Sequence, residues 1–365
     1  MTGTASTTAP PVQLELPPMY CPIEYRVQPE LEAIDRNAAQ WLDRYQPYHD
    51  STSRAWLVAA DAATAVASFL PNGSTDRVEL SARWMYWALA LDDVTDRSTP
   101  GSGAGGAAEL VSRVLRLMET PQPLDPPGTG LAPALQSFIA DYQAMASPPQ
   151  LRRFVEGHRR WFLSVCWQAT TSQPRTLDDY CHLRMLSVGA CATAVLTEFT
   201  HPEEVPSNEL DSPAMRALQE SAYLVLGLDN DLLSHFGHDV RERDVPDVVT
   251  TIARLYQVPT DEALVQATAL RDLFMDLFLR LQERLLPRVS SPTRHYIENL
   301  GFGIRGDLEW GARSARYAVL TPRDQPPPAE FTPITLNFAE RPAPAIVDHR
   351  SLPSLSWWWN HLTPQ

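Results

Sequence analysis

From about Gln28 onward, apolar residues recur every three to four positions in long segments punctuated by Pro, Gly and Ser. That period belongs to helices with one buried face, and no stretch alternates as a half-buried strand would. The pattern predicts helices over 28–45, 53–70, 75–96, 106–119, 131–146, 149–172, 176–199, 212–241, 246–257, 260–288 and 292–319. N-cap side chains are expected at Ser74, at Thr176 with Asp179 three residues on, and more weakly at Thr260. Two linkers, Ser98–Gly105 and Thr120–Gly130, are rich in Pro and Gly, and no internal repeat is visible. The helical run is continuous, so the expectation is one all-α, antiparallel bundle over 18–320.

Both ends differ from this pattern. Residues 1–17 open with a Thr/Ala/Pro-rich stretch that lacks a basic or apolar leader region, and we expect disorder there. Residues 321–365 are Pro-rich and close on Trp357-Trp358-Trp359. Three adjacent tryptophans are poorly suited to open solvent, so this tail is expected to dock on the bundle or fold over an opening.

Composition narrows the function. The net charge is −14, which argues against a nucleic-acid footprint. All 30 basic residues are arginine, so any phosphate must be held by guanidinium forks rather than by lysine. The four cysteines, Cys21, Cys166, Cys181 and Cys191, lack disulfide or zinc spacing and read as reduced thiols. No apolar run is long enough to span a bilayer. These features point to a cytoplasmic protein without membrane insertion; a homodimer is the oligomer to expect.

Candidate chemistry begins where Trp84-Met85-Tyr86-Trp87 leads into Asp92-Asp93-Val94-Thr95-Asp96. On a helix, Asp92 and Asp96 share a face one turn apart, with Asp93 beside them. Mg²⁺ suits such a set, being held by one or two carboxylates together with substrate phosphates. An ordinary solvated acidic helix end is the alternative. Farther on, Asn230 and Ser234 share a face at i and i+4 and offer uncharged oxygen donors.

Together these two motifs resemble the paired metal motifs of class I terpene cyclases, in particular the bacterial ones. Tyr180-x-x-x-Arg184-x-x-Ser187-x-Gly189 is similar to that family's diphosphate-sensor segment, 46 positions before Asn230. Arg316-Tyr317 is similar to its C-terminal RY pair, 86 positions after Asn230. The opening strap from Pro22 to Trp41 also looks like the family's, and the resemblance covers roughly 18–320.

It implies Mg²⁺-dependent ionisation of a linear isoprenyl diphosphate followed by cyclisation of the carbocation, with three ions once substrate is bound. Asp92, Asp93, Asp96, Asn230, Ser234 and Asp239 would be the metal ligands. Arg184, Arg316 and Tyr317 would grip the diphosphate, with Ser187 as linker and Val188 as effector at a helix break before Gly189. Tyr86 and Trp310, each six residues before a motif, match positions where the family lines its cavity; Phe162 and Trp167 are looser candidates.

One position departs from the family pattern. His238 stands four residues after Ser234, where a carboxylate is expected, and imidazole is a poor Mg²⁺ ligand. A π-bulge would bring Asp239 into that place instead. Farnesyl diphosphate is the first choice of substrate and geranylgeranyl diphosphate the alternative. A chain-elongating prenyl synthase would need a second Asp-rich motif, and a degenerate isoprenoid-binding protein would have lost catalysis at His238.

Overall fold

The computed structural model describes residues 15–96, 103–120, 128–170, 173–235, 247–318 and 322–362, with the Asp96 and Ala104 side chains excluded. It is an all-α bundle. Its helices are α1 (Leu31–Tyr45), α2 (Ser51–Ala59), α3 (Ala62–Phe69), α4 (Thr75–Asp96), α5 (Gly103–Glu119), α6 (Leu131–Met145), α7 (Pro148–Gln168) and α8 (Leu177–Ser187). They continue with α9 (Ala190–Phe199), α10 (Ser207–Leu210), α11 (Pro213–Ser234), α12 (Val248–Tyr256), α13 (Thr260–Leu285), α14 (Ser291–Arg313) and α15 (Ala315–Ala318). Among the described residues the strand content is small: β1 (Met19–Tyr20) pairs in parallel with β2 (Phe338–Ala339). No described helix is long and apolar enough to cross a membrane.

Helices α4 and α11 are apolar nearly all round, which is why they become the buried centre of the bundle. From Trp84 to Leu91 every residue of α4 is buried. Helix α11 packs on α13, α14 and α8, and α4 packs on α1, α3 and α6. Both candidate metal motifs therefore lie at the ends of central helices, on a rigid support.

The segment 292–319 is two helices, parted at Ser314, and three further differences from the periodicity reading have a local cause. The segment 53–70 is two helices, because Asp61 takes a left-handed conformation (φ 54°) and caps Thr64. Asp tolerates that conformation better than most residues. The break leaves the Ala60 carbonyl to accept hydrogen bonds from Trp310 Nε1 at 2.6 Å and Ser314 Oγ at 3.2 Å. The segment 176–199 likewise divides at Gly189, whose φ of 75° suits glycine. Thr260 is not a cap: it is the first helical residue after Pro259, which offers no side-chain hydrogen bond. Thr176 and Asp179 do form the reciprocal cap at the start of α8.

The C-terminal segment wraps the outside of the bundle. Arg323 lies over the Trp56 ring, and Trp56 Nε1 donates to the Gln325 carbonyl at 2.7 Å. Farther along, Trp358 is fully buried and donates to Glu220 at 3.1 Å, with its ring 5.9 Å from that of Phe274.

Candidate active site

Arg316, on the short α15, reaches across to the end of α4. Its fork donates to Asp93 Oδ1 at 2.9 Å and to Asp92 Oδ2 at 2.8 Å. Burial alone would lower the guanidinium pKa, but Asp93 and Asp92 outweigh it and hold Arg316 above its ordinary value. The next residue, Tyr317, turns to α11, where its hydroxyl accepts from Asn230 Nδ2 at 2.8 Å. Asn230 Oδ1 in turn accepts from the Arg184 guanidinium of α8. One polar chain thus joins Asp92 and Asp93 to Asn230 and Arg184.

Arg184 owes its position to three elements. Its side chain lies against Gly227, where a Cβ would stand 3.0 Å from Arg184 Cγ, so a larger residue would crowd it off α11. Its Nε donates to the Gly227 carbonyl at 3.2 Å and pairs with Asp231 Oδ1 at 2.8 Å. A further N–H reaches Ser187 Oγ at 3.3 Å. Val188 ends α8, and Gly189 then reverses the backbone before α9. The expected break after Arg184 is therefore present, with the Trp161 ring packed 3.4 Å from where a Gly189 Cβ would be.

Asp231 has no assigned role in the sequence reading, yet it binds three elements together. Its carboxylate accepts from the Tyr180 hydroxyl, from Arg184, and from the Val248 N–H that opens α12 at 3.1 Å. Burial pushes its pKa up to about 6, against the opposing pull of Arg184. The available signal was Tyr180 and Arg184 at i and i+4, a pair shaped to hold one carboxylate.

Partial solvent access marks an inner surface. Along the second half of α11 only Leu226, Asn230 and Ser234, spaced by four, are open to water; their neighbours are buried. Arg184, Ser187 and Val188 are similarly half-open on α8, as are Asp92 and Asp93 on α4. The oxygen donors of Asp92, Asp93, Asn230 and Ser234 are hard and suit a divalent cation such as Mg²⁺. Among the described residues no three His, Cys, Asp or Glu side chains are already gathered for a metal. The Asp96 side chain, His238, Asp239 and the expected π-bulge lie outside the described residues.

The aromatic candidates separate. Trp310 is buried, edge-on to Tyr317 at 5.5 Å and to Phe69 at 6.1 Å. Phe162 is buried among His158 and Trp161. Tyr86 is buried too; after burial itself, the charges that most affect its hydroxyl are Asp35 and Asp61, on the α1–α3 side of α4. Trp167 is half-exposed and edge-on to His182 at 5.5 Å. His182 lines an outer depression with Trp357 and Ser354, so Trp167 lies away from the inner surface.

Residues 83–275 match the family model described as terpene synthase family 2, C-terminal metal binding, and so span more than half of the chain. The chain belongs to the class I terpene synthase family. Spiroviolene synthase of Streptomyces violens is 34% identical over 95% of this chain and 97% of its own. Phomopsene synthase of Allokutzneria albata is 29% identical over 96% and 98%. Among solved structures, the SVS_A2 protein from ancestral sequence reconstruction superposes with a TM-score of 0.80 at 31% identity, covering 95% of this chain and 99% of that one. This terpene synthase is thus a metal-dependent enzyme of the α-helical class I type, acting on an isoprenyl diphosphate.

Proposed function

We propose that the polar chain from Asp92 to Arg184 is a clamp for the diphosphate of a linear isoprenyl diphosphate. Arg184 and Arg316 bind the diphosphate through their forks, and Tyr317 contributes its hydroxyl. Asp92, Asp93, Asn230 and Ser234, joined by Asp96 and Asp239, offer oxygen ligands for a cluster of three Mg²⁺ ions. When bound, these ions neutralise the charge that builds on the leaving diphosphate. The supporting observation is the adjacency of Arg316 and Tyr317: one residue holds α4's carboxylates while the next holds α11's amide.

Ionisation leaves an allylic cation that must be kept from water. Trp310 and Phe162 would offer ring faces, each worth roughly 0.5–2 kcal/mol of cation–π attraction. Ser187 and Val188, partly open to water at the helix break, would act there as linker and effector. The four free cysteines support a cytoplasmic location.

Farnesyl diphosphate is the first substrate to test. Geranylgeranyl diphosphate stands beside it, because the relatives include both a T-muurolol synthase named for cyclising farnesyl diphosphate and diterpene cyclases. Purified protein with Mg²⁺ and each substrate in turn, followed by gas chromatography–mass spectrometry of hexane extracts, decides between them. A cyclic hydrocarbon or alcohol from one substrate identifies it. Longer diphosphates would point to chain elongation, and retained binding without turnover to a degenerate isoprenoid-binding protein.

A further inference from the structure

Helix α14 carries a carboxyl that the clamp has not used. On its outward side, Arg305 lies over the Phe338 ring, Phe302 lies under Arg26, and Glu309 pairs with Arg305 and Arg313. At 100° per residue, Asp307 points nearly opposite to that stripe, into the bundle. Gly311, one turn later, is pressed against the clamp: a Cβ there would stand 2.5 Å from Leu233 Cδ1 and 3.5 Å from Tyr317 Cδ2. Gly303, one turn earlier, is also on the inner side, yet a Cβ there would meet nothing within 4 Å. Open space therefore lies beside Gly303, one turn from Asp307 on the same side of α14. Asp307 is half-open to water although its neighbours Gly306 and Leu308 are buried.

The charges that act on this carboxyl are Asp229 and Arg184, and Tyr317 feels it in turn. Among the described residues it has no hydrogen bond or ion pair. Asp229 is already committed to Arg271, by contacts at 2.7 and 3.2 Å. Asp307 thus has unused hydrogen-bonding capacity on the side of α14 where Gly311, one turn later, meets Leu233 and Tyr317.

We propose that Asp307 is a further substrate-contacting residue, donating its acid hydrogen to an oxygen of the diphosphate held by Arg184 and Tyr317. The proposal rests on the clamp reading above. An ionised carboxylate there would repel the diphosphate, whereas the neutral acid is a donor, and an O–H donated to an anionic oxygen is among the stronger hydrogen bonds. Burial, then Asp229, push its pKa well above the ordinary carboxyl value against the pull of Arg184, which favours the neutral form. The bond strengthens as charge gathers on the leaving diphosphate, so it favours ionisation over substrate binding alone. The proton stays on Asp307 throughout.

Asp307→Asn keeps a neutral donor of nearly the same shape, and Asp307→Leu removes it. The full-length variants are compared by calorimetric titration with Mg²⁺ and inorganic diphosphate, by turnover, and by product pattern. The Asn variant is expected to bind and turn over within about threefold of wild type. The Leu variant should lose at least about tenfold in both, as removal of a hydrogen bond to a charged group implies. Should the Leu variant not melt cooperatively, Asp307→Ala takes its place. Unchanged affinity in the Leu variant, or equal damage in Asn and Leu, would overturn the proposal. So would an altered product pattern with intact diphosphate affinity, which would place the carboxyl beside the hydrocarbon. Arg184→Gln serves as the control: if it also binds inorganic diphosphate normally, the clamp reading itself has failed rather than the role of Asp307.

Discussion

Arg271 and Arg316 each hold two aspartates inside the same bundle, but their surroundings are opposite. Arg271, Asp229 and Asp272 all have 0% side-chain exposure. Asp272 also accepts from the backbone N–H of Tyr20 at 2.9 Å and of Ala343 at 3.0 Å, and Arg271 donates to the Tyr20 carbonyl. That cluster ties the N-terminal strap and the C-terminal tail to α13, and its bonding capacity is spent on the fold. Around Arg316 the guanidinium is 7% exposed, yet Asp92 is 40% and Asp93 18% exposed. There the cation is sheltered while the Asp92 carboxylate faces water. A sheltered cation with a solvent-facing acceptor can exchange protein partners for a ligand; a closed cluster can only hold or break.

The largest expected effect tests the open cluster. Asp92→Ala or Asn230→Ala should cut turnover at least about a thousandfold, some 4 kcal/mol of barrier, with an unchanged melting temperature. Asp239→Asn should resemble them, while His238→Ala stays nearer wild type; the reverse ranking would rule out Asp239 as the ligand.

The closed cluster should answer the other way. Arg271→Met leaves Asp229 and Asp272 buried without their cation, at a cost of about 3–5 kcal/mol. Denaturant unfolding should show that loss, and a variant as stable as wild type but inactive would erase the contrast.

His158 is a second closed contact. Its Nδ1 donates to the Phe154 carbonyl at 2.7 Å, and its Nε2 accepts from Trp84 Nε1 at 2.9 Å, so the ring is neutral. Burial lowers its pKa to about 4. The folded value lies below the unfolded one, so its contribution is complete above about pH 6.5 and is lost as pH falls towards 4. The loss reaches about 3 kcal/mol. His158→Gln should show correspondingly less destabilisation between pH 7 and 4 in denaturant titrations.

The smallest effect belongs to Trp167. Because it packs on His182 at the outer surface, Trp167→Phe should leave the product pattern unchanged by mass spectrometry.

Much of the candidate site was legible because it is written at helical spacing. Asp92 with Asp93, Asn230 with Ser234, Tyr180 with Arg184, and Arg316 with Tyr317 are all local patterns, and the break at Gly189 follows from glycine's freedom at positive φ. What stayed hidden depends on long-range contact. Asp229 and Arg271 are 42 positions apart, and neither looks unusual in its own helix. Asp307 reads as the polar side of an amphipathic helix; only the outward stripe of Phe302, Arg305 and Glu309 shows that it points inward. The break at Asp61 was hidden for a similar reason, since the freed Ala60 carbonyl finds its partners on α14. Trp167 fitted helical spacing as well as Phe162 did, and only packing told the two apart.

The most direct test of the clamp is calorimetric titration of inorganic diphosphate with Mg²⁺ into wild type, Arg316→Gln, Asn230→Ala and Arg271→Met, the last at a temperature where it remains folded. The clamp predicts at least about tenfold weaker binding in the first two variants and near wild-type affinity in Arg271→Met. Equal affinity in all four proteins, or a loss confined to Arg271→Met, would contradict it.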